Sequence, residues 1–270
     1  MQIRHAHSLK TAARGRLPSP LSARVPESLP ESLPGLVGVL GGMGPLATVD
    51  FMHKLVAATP AASDQEHVPA LISSIPQIPD RTRAFQRKGV SPLPALIACA
   101  KRLEAAGVGV IVIACNTAHL WFDEIQSQVA IPMLHIVDAT LKKASTAHAG
   151  AARIGLLATE ATMASGLYMR RPLCAPTGNE VHWMLPHASE IREWVTPGIA
   201  AVKAGRLDQG RELLVQAARA LHGRGAQALV LGCTEVPVVL NDANAPLPTI
   251  DATAALAHSA VEWSRQARSA

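Results

Sequence analysis

The chain has 270 residues, 49% hydrophobic and 17% charged, so it can bury a sizeable core and has too few charges for a disordered protein. Aromatics make up only 3%, which argues against an aromatic-rich β-sandwich or a base-stacking nucleic-acid surface. The formal charge of +5 is uneven: residues 1–35 carry five basic groups against two acidic ones, and the remaining 235 carry only +2, a weak signal for nucleic acid.

In chain order, residues 1–35 read as a disordered, basic, proline-rich tail. Leu17 to Gly35 holds five prolines, and the near-repeat Pro26-Glu-Ser-Leu-Pro30-Glu-Ser-Leu-Pro34 sustains neither a helix nor an interior strand. A transit peptide shares the Arg-containing, acid-free composition of the first 24 residues. From Leu36 onward, short apolar runs alternate with helical periods. Strands are predicted at 36–41, 68–75, 108–114, 133–136, 153–158, 181–185, 226–232 and 248–250. Amphipathic helices are predicted at 46–58, 93–106, 118–129, 138–148, 189–204, 207–222 and 252–268. Continuous apolar strands between helices of ten or more residues indicate parallel sheets covered on both faces, an α/β class.

A faint duplication runs through this pattern. Gly107-Val-Gly-Val-Ile-Val-Ile-Ala-Cys115 and Gly225-Ala-Gln-Ala-Leu-Val-Leu-Gly-Cys233 share a helix-ending Gly, an apolar strand and a Cys followed by small polar residues. The economical arrangement is two similar lobes facing each other across a cleft, 36–137 with 247–270 as the first and 138–246 as the second.

Both cysteines fall at the carboxyl end of a buried strand, where open α/β sheets place ligands. Free backbone N–H groups of a following helix would lower a thiol pKa and hold a carboxylate; a small Cys packing at a strand end is the structural alternative. Cys99 reads as a helix-face residue and Cys174 as part of a Pro-rich turn. Gly42-Met-Gly44-Pro-Leu-Ala47 satisfies a loose dinucleotide fingerprint with Asp64 about twenty residues on. Pro45 weakens it by deleting an N–H, so close backbone approach to a small ligand fits better. Arg81 and Arg83, after Pro76-Gln-Ile-Pro79-Asp80, suit a forked grip on a carboxylate or a solvated loop. His53, His67 and His119 have no common metal spacing, and the cysteines have no C-x-x-C, so no metal site is expected.

Taken together, Leu40-Gly-Gly-Met-Gly-Pro-Leu-Ala-Thr48, Asp64-Gln-Glu-His67, Pro76-Gln-Ile-Pro-Asp-Arg-Thr82, Ala114-Cys-Asn-Thr-Ala-His119, Gly155-Leu-Leu-Ala-Thr159 and Gly232-Cys-Thr-Glu-Val-Pro237 make the chain from about Leu36 to Trp263 resemble the cofactor-independent aspartate/glutamate racemase family, aspartate racemases in particular. The resemblance implies two α/β lobes with the active site between them, no cofactor and a homodimer. It implies Cys115 and Cys233 as the acid/base pair. Met43, Asn116, Thr117, Thr159 and Thr234 would bind substrate around its α-carboxylate and ammonium, and Arg81 its side-chain carboxylate. The family pattern has a Lys shortly after Ser165-Gly-Leu-Tyr168, where this chain offers Arg170. The tail has no counterpart in that pattern, and the segment 171–176 departs from it.

The activity so implied is interconversion of L- and D-aspartate, with glutamate or a broader amino-acid set as alternatives. A catalytically idle carboxylate-binding relative, or an accessory role for the basic tail, are the rivals from other classes. No apolar run reaches the ~20 residues of a membrane span and the start lacks an apolar signal region, so a reduced, cytoplasmic compartment without membrane or nucleic-acid partners is expected.

Overall fold

The computed structural model describes residues 33–147, 153–171 and 181–269, and the expectations for residues 1–32, Cys174 and the segment 172–176 lie outside them. β1 (Val37–Gly41), α1 (Pro45–Ala58), β2 (Ala70–Ser74), α2 (Arg81–Phe85), α3 (Leu93–Ala105), β3 (Val110–Ile113), α4 (Phe122–Gln126) and β4 (Met133–Leu134) form the first half. α5 (Ile136–Ala147) leads to β5 (Arg153–Leu157), α6 (Glu160–Ala164), β6 (His182–Met184), α7 (Ala188–Glu190), α8 (Thr196–Lys203), α9 (Leu207–Gly223), β7 (Ala228–Leu231), β8 (Thr249–Asp251) and α10 (Ala252–Ser269). The strands make two four-stranded parallel sheets of identical order, β2-β1-β3-β4 and β6-β5-β7-β8. The duplication legible around the two cysteines is therefore a duplication of whole sheets.

The two-residue period of the strands sorts the core into three clusters. Val37, Val39, Val110 and Val112 share one cluster with Ile154, Leu156, Ala228 and Val230 of the other sheet, filled in by Phe51, Leu141 and Leu256 of α1, α5 and α10. Their neighbours on the opposite faces face outward. Leu40, Ile111 and Ile113 pack with Leu96 and Leu103 of α3. Leu229 and Leu231 pack with Val202, Leu214 and Leu221 of α8 and α9. The central strands β1, β3, β5 and β7 are covered on both faces and read as unbroken apolar runs, whereas Leu71 and Ile72 of the edge strand β2 stay exposed.

Three boundaries differ from expectation. Leu33 packs on the outer cluster of the first sheet, and the Gly35 carbonyl accepts the Ser264 hydroxyl at 2.7 Å, so the end of the expected tail belongs to the fold. Thr249–Asp251 pair with β7 rather than joining the first lobe, and only α10 returns to pack against α1 and α5. The helix expected over 118–129 is a 3-10 turn at Thr117–Trp121 followed by the short α4.

Candidate active site

Cys115 and Cys233 each lie two residues beyond their strand, β3 and β7, and these occupy the same place in the two sheets. Both thiols are buried, 5% and 3% exposed, and both line one cavity with Met43, Arg81, Asn116 and Lys203. Asp80, Thr82, Thr117, Thr159, Thr234 and Glu235 complete its wall. Its free volume is about 10 Å³, scarcely room for one water, so the cleft is closed in this structure. A neighbouring cavity of about 320 Å³ shares Arg81, Lys203 and Glu235 with it and is bounded by Gly44, Leu46 and Pro76.

The loop after β1 brings Met43 to the site. Gly42 takes φ +87°, and a Cβ there would sit 2.3 Å from the Ile75 backbone, so only glycine fits between the strand end and the next loop. The Gly42 amide donates to the Thr48 hydroxyl at 2.8 Å, which in turn donates to the Gly44 carbonyl at 3.0 Å. At the start of α1, the Gly44 amide donates to Glu235 Oε1 at 2.9 Å. The helix terminus that a dinucleotide phosphate would need is thus held by a carboxylate of the protein itself.

Arg81 opens α2, whose N-cap Asp80 accepts the Arg83 amide at 2.8 Å. The Arg81 guanidinium is buried and donates to the carbonyls of Ile78 and Pro79 at 2.9 Å and of Met43 at 3.3 Å, while its Nε has no partner. Arg83 turns away to the Lys88 carbonyl on the surface, so the two arginines do not form a common fork.

Threonines from both lobes meet at the cleft. The Thr117 hydroxyl lies 2.8 Å from that of Thr159, the N-cap of α6, and 3.1 Å from that of Thr162. Behind Cys115, His119 Nε2 accepts the Ile136 amide at 3.1 Å, which leaves Nδ1 to donate to the Cys115 carbonyl at 2.9 Å. Burial pushes its pKa down to about 4, so His119 is a neutral post that ties the cysteine turn, through Nδ1, to the start of α5, through Nε2.

The charges beside Cys233 set its state. Its thiol donates to Glu235 Oε2 at 3.0 Å. Burial, then the Glu235 charge, raise its pKa well above the ordinary thiol value, and the Lys203 ammonium opposes them in part. For Lys203, at the end of α8 with an exposed side chain, partial desolvation works against the charged form. The negative charge of Glu235, and those of the two sulfurs once ionised, outweigh it and raise the pKa above the ordinary lysine value. The sequence alone does not single out Lys203 or Glu235 as site residues. Glu235 is signalled by its place two residues after Cys233, whereas the 30 residues separating Lys203 from Cys233 carry no local pattern.

Arg170 is not part of this group. It donates to the Ser165 carbonyl and lines a separate cavity with His119, His135 and Arg171. The other expected positions, Met43, Arg81, Asn116, Thr117, Thr159 and Thr234, all face the thiol cavity.

Residues 40–260 match the family model for Asp/Glu/hydantoin racemases. The broad-specificity amino-acid racemase RacX of Bacillus subtilis is 31% identical over 230 residues, 84% of this chain and 96% of that protein. The structure of Picrophilus torridus aspartate racemase superimposes with a TM-score of 0.76 at 33% identity, covering 85% of this chain and 94% of that one. Glutamate racemase from Francisella tularensis, solved with D-glutamate, shares the fold at 18% identity and a TM-score of 0.64. Among the described residues, no helix is long and apolar enough to cross a membrane. On this agreement of sequence and fold over most of its length, the chain belongs to the Asp/Glu/hydantoin racemase family and is an amino-acid racemase.

Proposed function

We propose that Cys115 and Cys233 are the two acid/base groups, that they act on opposite faces of the substrate Cα, and that aspartate is the preferred substrate. The observation that carries this reading is the pair of buried thiols at equivalent strand ends of two equivalent sheets, on one cavity. Inversion needs one sulfur without its proton and one with it. Cys233, held as a thiol beside Glu235, is the donor in the resting arrangement, and Cys115 takes the thiolate role. The thiolate removes the α-proton, forming an S–H bond and leaving the C–H electron pair delocalised into the α-carboxylate. Cys233 then delivers its proton to the other face, and the same groups exchange parts in the reverse direction.

Charge grows on the α-carboxylate as the proton leaves, so donors aimed there lower the barrier. Asn116, Thr117 and Thr234 are placed for this task beside the two sulfurs. Arg81 and Lys203 bring two cations to a wall whose carboxylates, Asp80 and Glu235, are engaged by the Arg83 amide and by the Gly44 amide and Cys233 thiol, so a guanidinium and an ammonium are the groups offered to a side-chain carboxylate. The reading extends to a homodimer, for which Leu71 and Ile72 on the edge strand β2 and Leu46, Val49 and Val56 on α1 offer exposed apolar surface.

Solvent deuterium tests the chemistry. Wild-type protein in heavy water should place deuterium at Cα of both aspartate enantiomers. Cys115→Ser and Cys233→Ser should each lose racemisation by about 10³-fold or more, since a hydroxyl is a far weaker base at this site. Each single variant should retain exchange of one enantiomer only, and opposite ones. Wild-type racemisation in either variant would remove the two-thiol mechanism.

A further inference from the structure

Asn116 and Tyr168 make a buried contact across the cleft that the chemistry above does not use. Asn116 follows Cys115 in the first lobe and is 1% exposed; Tyr168, the single tyrosine of the chain, lies beyond α6 in the second lobe and is fully buried. The tyrosine hydroxyl donates to Asn116 Oδ1 at 2.6 Å. The other end of that amide, Nδ2, is buried and has no protein partner. A buried amide donor without a partner forfeits the hydrogen bond it had with water, so such a group calls for an explanation. Asn116 itself lines the thiol cavity.

We propose that Tyr168 is a positioning residue: by occupying Asn116 Oδ1 from the opposite lobe, it presents Nδ2 as a fixed donor to the substrate α-carboxylate. The inference rests on the cavity being the racemase site. An amide can turn over and offer oxygen or nitrogen, and an oxygen facing the α-carboxylate would repel it. A hydroxyl that must donate to the amide oxygen selects the productive face. The tyrosine ring is itself held, edge-on to Trp183 with centroids 5.7 Å apart, and Gly232 leaves it space beside Cys233, where a Cβ would lie 3.3 Å from its Cε2. Burial raises the pKa of the phenol well above its ordinary value, so it keeps the proton it donates at every pH where the enzyme works. Because donor and amide belong to different lobes, the carboxylate donor is oriented only when the cleft is closed.

A double-mutant cycle tests this with Tyr168→Phe, Asn116→Ala and the pair. For aspartate racemisation, Tyr168→Phe should lower kcat/KM by about ten- to a hundredfold, with most of the loss in kcat, because the carboxylate charge is greatest in the transition state. The same substitution in the Asn116→Ala background should change kcat/KM less than about twofold, the sign of a shared interaction. Calorimetric binding of succinate, which cannot racemise, should weaken about three- to tenfold in Tyr168→Phe and not at all further in the pair. Thermal melts of each variant separate loss of fold from loss of orientation. Additive losses in the cycle, or a folded Tyr168→Phe enzyme with wild-type kcat/KM, would overturn the proposal. If wild-type protein binds succinate but exchanges no α-proton, the racemase site reading fails, while the succinate arm still decides the role of Tyr168.

Discussion

An ammonium at the mouth of a cleft containing Glu235 and two thiols strengthens every negative charge that the site acquires. Lys203 is so placed, and its own pKa is raised by those same groups once their charge outweighs partial desolvation. Removing it should be felt most by a substrate with a second carboxylate. Lys203→Met is expected to lower kcat/KM for aspartate by about tenfold, at the lower end for a charged contact because this side chain is partly solvated, and to change alanine racemisation much less. Arg170→Met should leave both substrates within about threefold, since that guanidinium serves the Ser165 carbonyl in another cavity. Kinetics on the two substrates check both variants together. Equal losses for aspartate and alanine in Lys203→Met would make Lys203 an organiser of the thiols rather than a reader of the side chain.

The elements that carry these residues depend on a few backbone positions with no freedom to vary. Gly42 is the clearest: Gly42→Ala forces a side chain into φ +87° and against the Ile75 backbone, which no rotamer change relieves. A loss of about 2–4 kcal/mol in denaturant unfolding is expected, with racemisation reduced further because Met43 and the Gly44–Glu235 contact ride on the same turn. An unchanged unfolding midpoint would show that the loop can shift freely. Such glycine turns and the apolar strands were legible in the primary structure because each rests on a local rule. Strand burial on both faces leaves runs such as Val110–Ile113, and a positive φ demands Gly. The short helices were not legible. α2 and α6 are five residues each, below the length at which a helical period shows, and they form because Asp80 and Thr159 cap them and the lobes hold them together. The run 189–204 looked like a single helix and is broken into α7, a π-helical turn at Ile191–Val195 and α8, with Pro197 opening the last. The thiols and most of the wall of their cavity are legible in the sequence because each follows a strand end. Lys203 is not, because its closeness to Cys233 exists only after α8 and α9 pack on the second sheet.

At the scale of the whole molecule, the two lobes are joined by polar contacts that tolerate little change of charge. Tyr168–Asn116, Thr117–Thr159 and Gln86–Glu160 cross the cleft, and His119 ties the Cys115 turn to the amide that begins α5. His135 packs edge-on to His119 and accepts the Val137 amide at 3.1 Å, so both rings serve the folded state as neutral acceptors. Burial lowers His119 to about 4 and His135 to about 2, from an ordinary 6.5, with the neighbouring His119 and Arg171 charges adding to the shift at His135. Between those values and 6.5 the unfolded chain binds protons that the folded chain refuses, so stability rises with pH across the window and falls on acidification. Each histidine should cost about 2 kcal/mol of stability by pH 5, or roughly 10 °C in Tm for the two together in a domain of this size. The loss starts as pH drops through 6.5, above the range in which ordinary carboxylates titrate, so melts at pH 7.5, 6.5, 5.8 and 5 isolate it. His119→Gln with His135→Asn keeps amide oxygens near the positions of the two acceptor nitrogens while removing both basic groups. That double variant should melt lower than wild type at pH 7.5, because amides fit the stacked pocket less well, yet lose little more on going to pH 5. A wild-type Tm that stays level from pH 6.5 to pH 5, or a double variant with the wild-type slope, would show that these two rings are not the acid-sensitive joint between the lobes.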